Sequence, residues 1–174
     1  MDKAVFLDRD GVINIDKNYV YKIEDFEFIE GVFESLTYLQ DLGYKLFIIT
    51  NQSGIGRDYY TVKDFQKLMK WVLDIFKEKN IFISQVEFCP HNPDLNCNCR
   101  KPKTGMINNI LKNHKIDLKK SWLIGDKNSD ILCAKNASIQ NTIQVRSSKH
   151  FVEASSSSKY ICDSIKDIKD IIIK

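Results

Sequence analysis

The sequence predicts an α/β fold, a doubly wound parallel sheet, from three observations. Short apolar runs alternate with helix-period patterns along almost the whole chain. That strand–helix rhythm implies parallel βαβ units and a sheet covered on both faces. The residues with chemical potential fall just after the apolar runs, where such sheets bind ligands. The length of 174 residues suits one domain, at roughly 150 residues each.

The elements follow in order. Residues 4–7 form a short buried-type strand that ends in acids. Val32, Leu36 and Leu39 recur at helical spacing, and Gly43 is a helix stop. Residues 44–50 are the next strand. Thr61 and Asp64 make a capping-box start for a helix whose apolar stripe runs Phe65, Leu68, Met69, Val72, Leu73, Phe76. That stripe is core rather than a partner groove. Residues 85–89 are a third strand. Thr104 caps a helix carrying Ile107, Ile110 and Leu111, and residues 121–124 form a fourth strand ending at Gly125-Asp126. A short helix from about Ser129, strands at 142–145 and 160–162, and a final helix through Ile168 complete the pattern. Residues 1–174 read as a single domain with no internal repeat, and the serine run 155–158 reads as a solvated loop.

Composition bounds the function. The chain is 43% hydrophobic and 28% charged, ordinary for a globular protein. A net charge of +3, spread evenly, argues against nucleic acid or a membrane surface as partner. No apolar run approaches the ~18 residues of a membrane span, and Asp8 interrupts the first apolar run before a signal peptide could form. A cytosolic location is expected. His114, His150, Trp71 and Trp122 read as surface or packing residues, Cys133 and Cys162 as small core residues, and Lys166, Lys169 and Lys174 as a solvated face.

Asp8-Arg9-Asp10-Gly11 places two carboxylates just past a buried strand. Turn chemistry alone explains such a quartet. It gains weight from Thr50-Asn51-Gln52-Ser53-Gly54, which offers a hydroxyl, amides and backbone donors at a second strand end. Arg100-Lys101-Pro102 adds positive charge, and Gly125-Asp126-Lys127-Asn128-Ser129-Asp130 adds two acids. Acids, a hydroxyl and a lysine at strand ends are what Mg²⁺-assisted phosphoryl transfer requires. Asp130 reads equally as a helix-start acid or as support for a metal.

Three of the five cysteines lie within eleven residues. Cys89 and His91, then Cys97 and Cys99, give Cys-x-His, five intervening residues and Cys-x-Cys. Three thiolates and one imidazole suit a closed tetrahedral Zn²⁺ site. The five residues 92–96 between the pairs are polar and turn-forming, so in the loop 89–99 coordination would supply the stability that a core cannot.

Together these segments resemble the four motifs of the haloacid dehalogenase superfamily of aspartate-nucleophile phosphatases, in order and over essentially the whole chain. Within it, they resemble the family of D-glycero-D-manno-heptose 1,7-bisphosphate 7-phosphatases. Residues 6–14, Thr50-Asn51-Gln52-Ser53-Gly54-Ile55, Tyr59-Tyr60-Thr61, Cys99-Arg100-Lys101-Pro102 and Gly125-Asp126-Lys127 carry the likeness. The sister family, histidinol-phosphate phosphatase, shares much of this frame, and the five-residue spacing in the zinc loop looks more like that sister.

The resemblance implies roles. Asp8 would be the nucleophile, Asp10 the general acid and base, and Thr50 and Lys101 would hold the phosphoryl oxygens. Mg²⁺ would be bound by Asp8, Asp126 and the backbone carbonyl of Asp10, and Zn²⁺ by Cys89, His91, Cys97 and Cys99. Arg100, Lys127, the loop Asp16, Lys17, Asn18, Tyr19, and Asn51, Gln52, Ser53 would contact a small sugar phosphate. Removal of the 7-phosphate would feed nucleotide-activated heptose for lipopolysaccharide core, and such enzymes look like monomers. Asp8 lies 42 residues before Thr50 and Thr50 lies 51 before Lys101, intervals already filled by core elements, so no large cap domain is expected. Competing readings are a polynucleotide 3′-phosphatase, disfavoured by the lack of a kinase P-loop and basic stripe, and a non-catalytic zinc-stapled interaction module, which would have no need of the full acid set.

Overall fold

The computed structural model describes residues 1–149 and 151–173, so the expectations for His150 and Lys174 lie outside it. Six parallel strands run β1 (Lys3–Leu7), β2 (Tyr44–Asn51), β3 (Ile83–Cys89), β4 (Trp122–Gly125), β5 (Asn141–Val145) and β6 (Tyr160–Cys162). Their order in the sheet is β3-β2-β1-β4-β5-β6. The chain winds outward from β1 to β3, returns to the other side of β1, and winds outward again. The order therefore reverses between β1 and β4, where the parallel register pairs Val5 with Trp122 and Leu7 with Ile124. A crevice opens beyond the strand ends at such a reversal.

Alternation along β1 explains the two-sided core. Val5 and Leu7 face one layer with Leu46 and Ile48, while Ala4 and Phe6 face the other with Phe47 and Ile49. All eight are completely buried. The first layer is covered by α1 (Val32–Asp41) and α3 (Val62–Glu78), the second by α4 (Gly105–Asn113) and α5 (Asn128–Asn136). A one-turn helix, α2 (Ser53–Gly56), follows β2. Among the described residues no cap domain interrupts these crossovers.

Local chemistry sets the boundaries. Gly43 ends α1 in the left-handed region, its N–H bonded to Gln40 O at 2.7 Å. Thr61 and Asp64 form the expected capping box, and α3 buries Phe65, Leu68, Met69, Val72 and Phe76. Trp71 packs edge-on to Phe26, Trp122 lies against Tyr160, and Cys133 and Cys162 are buried. His114 is half-buried rather than on the surface, edge-on to Phe47.

Three expectations need correction. The Thr104 side chain makes no cap to α4; instead the Gly105 N–H donates to Asn98 O of the zinc loop at 3.1 Å. The last helix is a 3₁₀ segment, Ile165–Asp170, drawn onto α1 by bonds from Ser35 Oγ to Ile165 O and from Tyr38 Oη to Ile172 O. The serine run is pinned to β5, since Ser158 Oγ bonds Thr142 Oγ1 and Ser156 Oγ bonds Gln144 Oε1. Two buried polar side chains on β5 need partners, and the serines provide them.

Candidate active site

Asp8 is the first residue past β1, and its N–H is held by Ile124 O at 3.0 Å. Its Oδ1 accepts from the Arg9 N–H at 2.8 Å and lies 2.9 Å from Lys101 Nζ. Lys101 reaches under the sheet ends from beyond the zinc loop, with its side chain 2% exposed. The same Nζ lies 2.6 Å from Asp130 Oδ1 and donates to Ile49 O at 2.9 Å. One carbonyl and two carboxylates thus face the ammonium. Burial alone would push the Lys101 ammonium towards neutrality, but the Asp130 and Asp8 carboxylates outweigh it and hold the charge.

Asp126, at the end of β4, is fully buried, and neither carboxylate oxygen has a hydrogen-bond partner. Asp8, Asp126 and Asp130 each offer an oxygen within 4.8 Å of the others. Burial, followed by the nearby Asp8 charge, pushes Asp126 up to about 8, and burial pushes Asp8 up to about 6. Buried acids left without partners are costly. A hard dication with oxygen ligands relieves that cost, so the trio fits Mg²⁺. Gly11 completes the cradle: φ is +88°, and a Cβ there would lie 2.5 Å from Asp126 Oδ2.

The Asp10 side chain stands apart from this trio. Arg9 clamps it through Nε to Oδ2 at 3.1 Å and Nη2 to Oδ1 at 2.8 Å. Asn14 Nδ2 and Gln52 Nε2 add donors at 3.0 and 3.1 Å. Burial works to raise its pKa, but the Arg9 charge and these donors more than offset it, holding the carboxyl below the usual range. Arg9 is itself wholly buried, near the faces of Phe26 and Phe65.

A cleft of about 220 Å³ opens above these groups. Asp8, Asp10 and Lys101 line its floor, and Asp16, Asn18, Tyr19, Asn51, Gln52, Ser53, Arg100 and Lys127 line its walls. Asp16 and Lys127 approach across it to 3.3 Å. Asn18 and Tyr19 both hold left-handed backbone, at φ 62° and 54°, a strained turn for non-glycine residues. Asn51 brackets Lys101 by accepting its N–H at 3.0 Å and donating to its carbonyl at 3.3 Å. Arg100 Nη1 is buried without a partner at the cleft.

Some expected site residues lie elsewhere. Lys17 points away, paired with Glu27 at 2.9 Å on the surface. Thr50 lies beneath the floor, 1% exposed, its Oγ1 accepting from Gln52 Nε2 at 2.8 Å. The structure adds Tyr60 and Ser129 to the lining. Asp130 is a helix-start acid, its Oδ2 accepting the Lys127 N–H at the start of α5, while its Oδ1 meets Lys101. No spacing rule marks Tyr60, whose partner is chosen by the fold.

Cys89, His91, Cys97 and Cys99 converge as a second cluster. Sulfur–sulfur and sulfur–Nδ1 separations run from 3.1 to 3.6 Å. Zn–S bonds of ~2.3 Å in a tetrahedron give edges of about 3.7 Å, so the four atoms are spaced for zinc. Burial raises the Cys97 thiol, but the Arg100 N–H and the neighbouring thiols outweigh it and bring the group down to about 6. The loop abuts α2 and α4 so closely that a Cβ at Gly56 or Gly105 would strike its backbone at 2.3 or 2.4 Å. Arg100 and Lys101 follow Cys99 directly, so the zinc cluster anchors the cation that faces Asp8.

The chain matches the family described as Polynucleotide kinase 3 phosphatase over residues 3–164. It is 52% identical over 143 residues to the D-glycero-beta-D-manno-heptose-1,7-bisphosphate 7-phosphatase of Helicobacter pylori strain ATCC 700392 / 26695, covering 82% of this chain and 83% of that one. The D-glycero-alpha-D-manno-heptose-1,7-bisphosphate 7-phosphatase of Campylobacter jejuni is 50% identical over 147 residues, 84% of each chain. The beta-named enzyme of Pasteurella multocida is 38% identical over 179 residues, 99% of this chain and 97% of that one. The fold superposes on a D,D-heptose 1.7-bisphosphate phosphatase from B. bronchiseptica, complexed with magnesium and phosphate, with a TM-score of 0.87 over 97% of each chain at 22% identity. The chain belongs to this phosphatase family of the haloacid dehalogenase type, in the branch of the D-glycero-D-manno-heptose-1,7-bisphosphate 7-phosphatases.

Proposed function

We propose that this protein is a Mg²⁺-dependent phosphatase that removes the 7-phosphate of D-glycero-D-manno-heptose 1,7-bisphosphate, in the making of nucleotide-activated heptose for lipopolysaccharide core. The observation that carries the reading is the placement of Asp8 at the floor of the cleft, with Lys101 at 2.9 Å and two further buried acids beside it. Resemblance to heptose phosphatases at 38–52% identity supports the substrate. Histidinol phosphate is the second reading, and the five-residue spacing between His91 and Cys97 favours it.

With Oδ1 held by the Arg9 N–H and Lys101, Asp8 presents Oδ2 to phosphorus. The new Asp8–phosphorus bond forms as the bond to the sugar O7 breaks, and Asp10 gives O7 its proton. Water then attacks the aspartyl-phosphate, Asp10 takes up its proton, and inorganic phosphate leaves. As it stands, clamped by Arg9, Asp10 is suited to the base role; the acid role needs its carboxyl to take a proton and loosen that clamp. Asp8, Asp126 and the Asp10 carbonyl would hold Mg²⁺, which when bound adds positive charge against the phosphoryl oxygens. Lys101 neutralises the same oxygens, and Thr50 supplies a hydroxyl from below. Asn51, Ser53, Arg100 and Lys127, with Asp16, Asn18 and Tyr19, hold the sugar and its second phosphate. By resemblance to such phosphatases, the enzyme is taken as a monomer acting in the cytoplasm. Among the described residues no helix is long and apolar enough to cross a membrane.

The test is phosphate release, compared as kcat/KM on the heptose bisphosphate and on histidinol phosphate, with Asp8→Asn as the blank. The expected preference for the heptose is a hundredfold or more, about 2.7 kcal/mol. A preference for histidinol phosphate overturns the substrate.

A further inference from the structure

Gln52 carries one acceptor and one donor group on its side chain, and the way they face decides what reaches Asp10. Its Nε2 donates to Asp10 Oδ2 at 3.1 Å and to Thr50 Oγ1 at 2.8 Å. Its Oε1 accepts from the Tyr60 hydroxyl at 2.6 Å. Turned over, the amide would set Oε1 against the Asp10 carboxylate, acceptor to acceptor. Gln52 is 3% exposed, so water does not substitute for a lost partner.

Tyr60 is itself held in place. Its ring stacks on Tyr21 with centroids 4.8 Å apart and planes 8° from parallel. On the other side it lies so near Gly54 that a Cβ there would come within 2.2 Å of the ring. Burial pushes its hydroxyl up to about 12, so it keeps its proton and donates throughout the working range. The order Tyr60, Gln52, Asp10 is thus one directed chain of hydrogen bonds ending on the carboxyl that moves the proton.

We propose that Tyr60 is a positioning residue that, through the Gln52 amide, fixes the Asp10 carboxyl where it exchanges a proton with the leaving oxygen. This rests on the reading of Asp10 as general acid and base. Without the Tyr60 hydroxyl, Gln52 Oε1 is left buried and unpaired, the amide turns to find a donor, and Asp10 loses one of its four holds.

Tyr60→Phe keeps the ring and its stacking. Two substrates separate positioning from folding: the heptose bisphosphate, whose leaving oxygen needs a proton, and p-nitrophenyl phosphate, whose leaving group departs without one. The parameter is kcat/KM, which counts only steps up to departure of the leaving group. Tyr60→Phe is expected to lower it about tenfold on the sugar phosphate, with KM unchanged, and less than twofold on p-nitrophenyl phosphate. Asp10→Asn should show the same selectivity more strongly, and in a Gln52→Leu background Tyr60→Phe should leave the ratio of the two substrates unmoved. Equal losses on both substrates, or no loss, in Tyr60→Phe while Asp10→Asn remains selective overturns the positioning role alone. Equal losses in Asp10→Asn overturn the acid role of Asp10 and the positioning role with it.

Discussion

Lys101 Nζ lies 2.6 Å from Asp130 Oδ1 and 2.9 Å from Asp8 Oδ1, with all three side chains under a tenth exposed. One buried ammonium thus joins a carboxylate just past β1 to another in the first turn of α5. Removing one member of a buried ion group leaves uncompensated charge and costs ~3–5 kcal/mol. Lys101→Met is therefore expected to lower unfolding stability by about that amount in metal-free protein. Added Mg²⁺ should recover part of the loss, because it brings positive charge back to Asp8. Urea unfolding with and without Mg²⁺ checks this, and an equal loss in both conditions would sink it.

Asp8 and Asp126 predict a pH effect of definite sign. Asp126 is pushed up to about 8 and Asp8 to about 6, against an ordinary value of 3.8. Between roughly pH 4 and 8 the folded metal-free chain keeps protons that the unfolded chain has released. Its stability therefore falls as pH rises through that window. Mg²⁺ binding must expel those protons, so its affinity should rise from pH 6 to pH 8. Titration calorimetry in two buffers of different ionisation enthalpy reads the proton release directly; binding with no proton release contradicts it.

Zinc is expected to act at a distance on the reaction. The Asn51 side chain brackets the backbone of Lys101, two residues past the last ligand of the loop from Cys89 to Cys99. Structural zinc contributes ~10–16 kcal/mol in small peptides, far more than this polar loop gains by packing. Stripping zinc with a chelator that prefers Zn²⁺ to Mg²⁺ should abolish turnover, with recovery on adding Zn²⁺ and none on adding Mg²⁺ alone. Full activity in zinc-free protein, checked by metal analysis, would show that the loop holds its shape unaided.

Gly11 permits close approach to Asp126. Alanine there meets a left-handed backbone costing ~1–2 kcal/mol and places a methyl 2.5 Å from Asp126 Oδ2. Gly11→Ala is expected to raise the Mg²⁺ concentration needed for half-maximal activity at least tenfold. An unchanged Mg²⁺ dependence would mean that Asp126 gives way without loss.

Much of the site was legible because local rules wrote it. The capping box at Thr61 and the stop at Gly43 depend on neighbours a few residues away. The Cys-x-His and Cys-x-Cys pairs likewise announce their chemistry by spacing. Lys17 was named because resemblance assigned the whole loop, and in the structure its side chain pairs with Glu27 rather than lining the cleft. The Thr104 cap failed for a related reason, since the zinc loop brought a backbone carbonyl to Gly105 first.

By itself the sequence determined the alternation of strands and helices, the acids past β1 and β4, and the zinc ligand set, because each is a matter of short spacing and side-chain type. Only the tertiary structure decided which of these groups meet. The sheet order brings Asp8 beside Asp126, the zinc loop carries Lys101 beneath both, and Tyr60 reaches Gln52 only because α2 turns the chain back on itself. The first two meetings join residues far apart along the chain and the third spans eight residues across a turn; in each the partners are set by burial, where an unpaired charge or amide costs too much to leave alone.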